Sequence, residues 1–439
     1  MKDCSKAPLP DTRRSRRPLL AIATLVVAGA LTGGPPANAQ DKRLSVLIHP
    51  ALQGALTGSA TGAKGGDVTE GWRTGSKMAI NWIALDIVPL HDRLLRETSL
   101  AKTGIDMAVL IDKYASPENL KQFEPIDNCK GMDEVRKRIE PAFLQELTVD
   151  GKLYGLPFRH ATTALHYNEA LLQERGVKAP FETFEDFIAA ARKLTGKRAD
   201  GQMVHGLAID GINAGGTHNV LLAYGGVLID KGLKVPSDPK PLRQTYQLLA
   251  DLHAEGVLPN NFTAMGIDQM TQAMRTGRVA MVIQPFNRHL TYNDPQRSEY
   301  AGKIRTTPIP SLKGSATPVV SKTEFWSFVI PANSSQKEAA CELIRQLTDV
   351  EATTRTTLNG NSPVQPAIYA DPRVGATLPY AAAEKEALAG ARFVIVPFAQ
   401  IGRAQDIYLE NMQAAALRRK SAEQAATDTI SALTELVKR

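Results

Sequence analysis

Three short apolar runs, spaced by segments of helical period, decide the fold class of this chain. They are "RLSVLIHP" at 43–50, "AINWIALD" at 79–86 and "GIDMAVLID" at 104–112. Each is brief, rich in β-branched residues and bounded by turn formers, as buried strands are. "DVTEGWRTGSKM" before the second run predicts a helix, with Asp67 at its N-cap and Glu70 three residues on. "VPLHDRLLRETSLA" after the second run has helical spacing as well. Strand and helix in alternation over such connections predict a parallel sheet with helices packed on it. Ligands of such sheets sit outside the carboxyl ends of the strands. His49 and Gln53 follow the first strand and Asp112 ends the third, which makes them candidates. A turn-capping role remains the alternative for Asp112.

At 439 residues the chain exceeds what one hydrophobic core usually holds, so two lobes are expected. The first residues read as an export signal: Arg13, Arg14, Arg16 and Arg17, then the apolar run Leu19 to Leu31, then Ala37-Asn38-Ala39. Cleavage after Ala39 and a periplasmic or extracellular location are expected. "SRRPLL" leaves the general and twin-arginine routes both open. Residues 1–39 hold six Lys/Arg and two Asp/Glu, so the remainder carries 46 against 43, a net charge of +3. With no basic tail or basic face, nucleic acid is not an expected partner. Cys129 and Cys341, 212 residues apart, either pair in an oxidising compartment or stay as buried thiols.

Signatures of covalent and metal chemistry are absent from the sequence. The glycine-rich "GALTGSATGAKGGD" has neither G-x-G-x-x-G nor a G-K-[ST] ending, and reads as a flexible loop. No G-x-S-x-G, H-E-x-x-H or C-x-x-C occurs, and the eight histidines are scattered. No catalytic residue, metal or cofactor is therefore expected, and the chain is not expected to be an enzyme.

The middle of the chain is more specific. "GKLYGLPF…ALHYNEALLQERGVKAPFETFEDFIAAARKL" begins at Gly151, and "LLAYGG" follows at 221–226. Then come "MRTGRVAMVIQPF" at 274–286, "FWSFVIPANSSQKEAACELIRQLTD" at 325–349 and "GNSPVQPAIYADPRV" at 360–374. Within the first of these, Phe184, Phe187, Ile188, Ala191 and Leu194 share one helical face behind a Thr183 and Asp186 capping box. In this order the segments resemble extracellular solute-binding proteins of carbohydrate ABC transporters, the maltose-binding type.

The resemblance implies a two-lobed α/β periplasmic binding protein of type II, with hinge crossovers and a ligand cleft between the lobes. It implies a first lobe of 40–153 and 282–327 and a second of 154–281 and 328–439. "GKLYGLPF", "GRVAMVIQ" and "FWSFVIPA" would be the crossovers, with Gly151, Gly155 and Pro157 shaping the first. The implied role is capture of a small solute, sugar or sugar-like, by a monomer that then docks on a membrane permease. The same fold also serves polyamines, opines and metal chelates. A secreted enzyme using Asp112 and Glu324 as acid and base is a more distant alternative.

Site residues follow from the same comparison. Trp326 stands where the family often carries an aromatic after two glycines, here replaced by Glu324 and Phe325; interlobe packing is its other reading. Glu324 offers a hydroxyl acceptor, and Arg159 and His160 lie just past the first expected crossover. Asp210, Asn213 and Asn219 lie in "IDGINAGGTHN", at the second lobe's rim. Gln284 and Phe286 flank the second expected crossover, Phe286 near a family stacking position. Asn287 and Arg403 replace family aromatics. That pattern implies a monosaccharide, a polyol, or an acidic sugar paired with Arg159 or Arg403, rather than a long maltodextrin.

Overall fold

The computed structural model describes residues 42–60, 62–230 and 232–438; the expected signal segment lies outside them. Strands β1 (Arg43–Ile48), β2 (Ala79–Ala84) and β3 (Met107–Ile111) are parallel, with Val46 opposite both Trp82 and Met107. Two further strands complete a five-stranded sheet. Phe325–Val329 runs antiparallel beside β3, and Leu156–His160 runs antiparallel outside it. Every residue of β3 is buried, as expected for a central strand covered on both faces.

Helix α1 (Pro50–Thr57) occupies the start of what the sequence reads as a loop. His49 caps it, its Nδ1 accepting from the Ala51 N–H at 3.3 Å, and Pro50 fits the first turn, where no N–H is required. Burial of Leu52, Ala55 and Leu56 outweighs the weak propensity of Gly54. Helix α2 (Glu70–Ser76) starts later than expected. Asp67 instead accepts from the N–H and hydroxyl of Thr69, at 2.8 and 2.6 Å, in the turn before it. Helix α3 (Ile87–Thr98) is where its period places it.

Two large hydrophobic cores divide the chain. The first gathers Leu44 to Ala164, then Phe286 alone, and again Phe325 to Leu388; the second gathers Leu165 to Ile309 and again Val394 to Leu436. The expected boundaries therefore fall in the wrong places. Ile283 and Ile309 pack in the second core, whereas Phe328 through Leu388 pack in the first. The cause is that "FWSFVIPA" is a full strand of the first sheet, and its helix Lys337–Leu347 packs back onto that lobe. "GRVAMVIQ" is no crossover either. It leads into the strand Met281–Pro285, which pairs antiparallel with Thr163–Asn168 in the second lobe's sheet.

The chain passes between lobes at Ala161–Thr162, at Thr323–Glu324 and after Gly390. The three passages lie side by side. The Ala161 N–H donates to the Glu324 carbonyl at 2.8 Å, the Thr163 hydroxyl to the Lys322 carbonyl at 3.0 Å, and the Thr323 N–H to the Arg392 carbonyl at 3.0 Å. A Cβ on Gly390 would stand 2.8 Å from the Val319 carbonyl, so only glycine lets this passage approach so closely. Gly155 is tight for another reason: a Cβ there would meet the Val329 side chain at 3.1 Å, inside the first lobe.

Cys129 and Cys341 form a disulfide with Cα atoms 5.4 Å apart. Both belong to the first lobe, not to different lobes as the implied boundaries placed them, so the bond leaves the cleft unrestrained. Among the described residues no helix is long and apolar enough to cross a membrane.

Candidate functional site

The carboxyl edge of the first sheet carries a row of polar groups because its strands end in register. Asp86 follows β2, His49 follows β1 and Asp112 follows β3. Trp326 sits opposite Ile111 on one side and Arg159 on the other. The His49 ring lies 5.9 Å from Trp326 and 3.9 Å from the exposed Asp86 carboxylate. Burial first, then the Arg159 charge, lowers the His49 pKa and favours a neutral ring.

Behind this row, His91 fixes the end of β3. Its Nε2 accepts from the Ile111 N–H at 3.1 Å, so Nδ1 is the protonated nitrogen and donates to the Ile87 carbonyl at 2.6 Å. The ring stacks on Tyr114 at 4.0 Å and lies 5.8 Å from Trp326. Burial pushes its pKa down to about 4.

Asp112 and Glu324 divide one charge between them. Burial, then the Glu324 charge, raises the Asp112 pKa, with Lys322 opposing. Burial would raise Glu324 too, but an ion pair with Lys322 outweighs it and keeps that carboxyl below its usual range. The proton therefore rests on Asp112 and the negative charge on Glu324.

These residues line a cavity at the lobe junction, with Lys113, Glu324 and Phe393 on the first lobe's side and His218 and Val394 on the second's. His218 stands 4.8 Å from the Tyr408 ring, and its buried Nε2 has no hydrogen-bond partner. Burial, then Lys322, holds its pKa near 3. The cavity measures about 40 Å³, little more than the volume of one water. At Pro397 it meets a cavity of about 550 Å³ between the lobes, with Glu118 and Gln145 facing Phe398 and Gln400.

A family model for bacterial extracellular solute-binding proteins matches residues 97–379. The chain belongs to that family. Among curated relatives it is 25% identical over 251 residues to a probable ABC transporter-binding protein of Deinococcus radiodurans, covering 55% of this chain and 58% of that one. It is 24% identical over 249 residues to a lactose-binding protein of Rhizobium radiobacter, covering 54% and 56%. The chain thus spans little more than half the length of these relatives. Solved structures match over more of the fold. A maltose-bound protein of T. maritima has a TM-score of 0.74 at 20% identity, covering 90% of this chain and 99% of that one. A ribitol-bound solute-binding protein of Agrobacterium radiobacter has a TM-score of 0.73 at 18% identity, covering 90% and 98%. These likenesses establish the two-lobed fold.

Within this solute-binding fold, the candidates from sequence separate. His49, Asp112, Glu324, Trp326 and Arg159 come together at the sheet edge. Trp326 is only 6% exposed and packs mainly on the two histidines. Gln53 lies in α1 and lines neither cavity. His160 is a core residue. Its Nδ1 accepts from the Thr162 N–H at 3.2 Å and its Nε2 bonds the Tyr369 hydroxyl at 2.8 Å. Asp210 accepts from the Ile212 and Asn213 N–H groups and closes its own turn. Asn219 positions a crossover, its Oδ1 accepting from the Thr163 hydroxyl at 2.6 Å and the Lys322 N–H at 2.8 Å. Gln284 is buried against the Tyr292 hydroxyl.

Phe286 and Phe325 are fully buried and present no face for stacking. Arg403 pairs with Glu410 at 2.8 Å on the outer side of the helix Ile401–Ala416, whose Ala404 and Ile407 point inward. It cannot serve the cleft. Sequence reasoning passed over Lys113, His218, Lys322 and Phe393. Only their neighbours Asp112, Asn219 and Glu324 carried a signal.

Proposed function

We propose that this chain is the substrate-binding component of an ABC importer, capturing a small sugar or sugar-like solute by lobe closure and delivering it to a membrane permease. The observation that carries this reading is the set Asp112, Glu324, Lys322 and His218 gathered where three crossovers meet. Donors and acceptors interleave there, and a protonated Asp112 both gives and accepts a hydrogen bond, as vicinal hydroxyls require. A cavity of about 40 Å³ admits no sugar, so the lobes must part for the solute to enter. Only the closed arrangement offers groups of both lobes, so the solute favours it. Shifting an open population from about 1:99 to 99:1 closed needs roughly 5.5 kcal/mol of preference.

Binding rather than turnover is favoured because the one ionised carboxylate of the pair is engaged by Lys322. The resemblance to structures holding maltose, ribitol, mannitol and tagatose supports a sugar or polyol. The expected export, cleavage after Ala39 and monomeric state belong to the same proposal. The test is a thermal-shift screen against neutral sugars, polyols, sugar acids and polyamines. A solute at about 100 times its Kd adds roughly 2.7 kcal/mol. A shift by any polyhydroxylated solute supports the reading. A shift by polyamines alone, or chemical conversion of a sugar, overturns it.

A further inference from the structure

Two arginines flank the crossover without a partner. Arg159 lies on the strand Leu156–His160, opposite Trp326 and just before the first passage between lobes. Arg288 opens the helix Arg288–Tyr292, which follows the second-lobe strand Met281–Pro285. Pro285 pairs with Thr163, just past that same passage, so the two arginines flank it. After burial, Arg288 is the strongest influence on Arg159, lowering its pKa to about 10. The Arg159 Nε is buried and unbonded, and neither guanidinium has an ion pair or hydrogen bond among the described residues.

The carboxyls nearby do not fill the gap. Glu324 is held by Lys322. Glu384 is 1% exposed beside Ser362 and Tyr369, and burial, opposed by these hydroxyls, raises its pKa to about 7. Both act on Arg159 only at longer range. Like charges enclosed without a counter-charge are unfavourable, and a planar anion taken by two guanidinium forks relieves them.

We infer that the solute of this cleft carries a carboxylate, shared between Arg159 of the first lobe and Arg288 of the second. The inference rests on the solute-capture reading and narrows it to sugar acids, with the solute's hydroxyls reaching Asp112 and Lys322. A planar carboxylate can accept from both guanidinium forks at once. Repulsion between the arginines holds the lobes apart in the empty protein, and a bridging carboxylate turns it into attraction, coupling capture to closure.

The test is titration calorimetry of the purified protein with matched probes: glucuronate against glucose, galacturonate against galactose, gluconate against sorbitol, and glucose 6-phosphate. At least one acid is expected to bind about tenfold or more tighter than its neutral partner. Arg288→Gln is expected to remove that advantage of acid over neutral partner. Arg159→Lys, which keeps the charge but loses the fork, should weaken the acid too. Thermal melting without solute checks each variant, and Arg159→Lys carries the test if Arg288→Gln does not fold. Neutral sugars binding as tightly as acids, or acid affinity unmoved in both variants, overturns this inference and leaves solute capture standing. Tighter binding of the phosphate overturns the carboxylate. No binding by any probe overturns the capture reading, and this inference with it.

Discussion

The hydroxyls of Thr162 and Thr323 stand 2.9 Å apart, one on each of two crossovers. Thr162 also bonds the His160 Nδ1 at 2.9 Å, so the pair ties the hinge to the buried His160 and Tyr369 of the first lobe. Replacing Thr323 with valine keeps its shape and leaves the Thr162 hydroxyl short of one partner in a buried site. Thr323→Val is expected to lower the unfolding free energy by about 1–3 kcal/mol, read by urea denaturation. Unchanged stability would mean that water supplies the missing bond and that the pair does not brace the hinge.

The Cys129–Cys341 bond closes a loop of 212 residues inside one lobe. Removing such a link typically lowers stability by about 2–5 kcal/mol. The double variant Cys129→Ala, Cys341→Ala should melt several degrees lower, yet hold its solute with affinity within about twofold, because the bond does not span the cleft. A large loss of affinity with little loss of melting temperature would contradict that placement.

How legible the molecule was from its sequence differs by region. β1, β2, β3 and α3 were readable because period and burial agree in them. α1 was not: its glycine-rich continuation masked a helix that Pro50 starts and three buried side chains hold. The family order of segments identified the fold, but the lobe boundaries slipped, since nothing local in "FWSFVIPA" says which sheet it joins. At the site, strand ends gave His49 and Asp112, and the family resemblance gave Arg159 and Glu324. Lys322, His218 and Arg288 reach the cleft through long-range pairing that no spacing encodes. Arg403 failed because one helical position decides between cleft and solvent.

Five buried histidines make the protein sensitive to mild acid. His91 and His289 have pKa values near 4, and His160, His166 and His218 near 3, each with burial as the first cause. A folded-state value below the unfolded one means that the unfolded chain takes up protons first. Stability is therefore full above pH 6.5 and lost as pH falls toward the folded values. Asp112 and Glu384, both raised, act in the opposite sense. Five against two, with His49 lowered as well, leaves a net loss of stability as pH falls below 6. Urea midpoints at pH 7.5 and 5.0 check this, and equal midpoints would show that the rings are not held neutral.

Asp112 should trade stability for binding. Its folded pKa lies above the ordinary value, from burial and then from Glu324. Its contribution is thus greatest at low pH and is lost as pH rises toward the folded value. Asp112→Asn removes that ionisation and should raise the melting temperature of the empty protein at pH 8. It also removes the carboxyl O–H that donates to a solute hydroxyl, weakening binding by about tenfold or more. In the parent protein the solute uses the protonated carboxyl, so binding should take up a proton and weaken as pH rises from 6 through 8. Calorimetry in two buffers of different ionisation heat measures that proton directly. A variant that melts lower and binds unchanged would make Asp112 a turn residue and move the site to the outer cavity at Phe398.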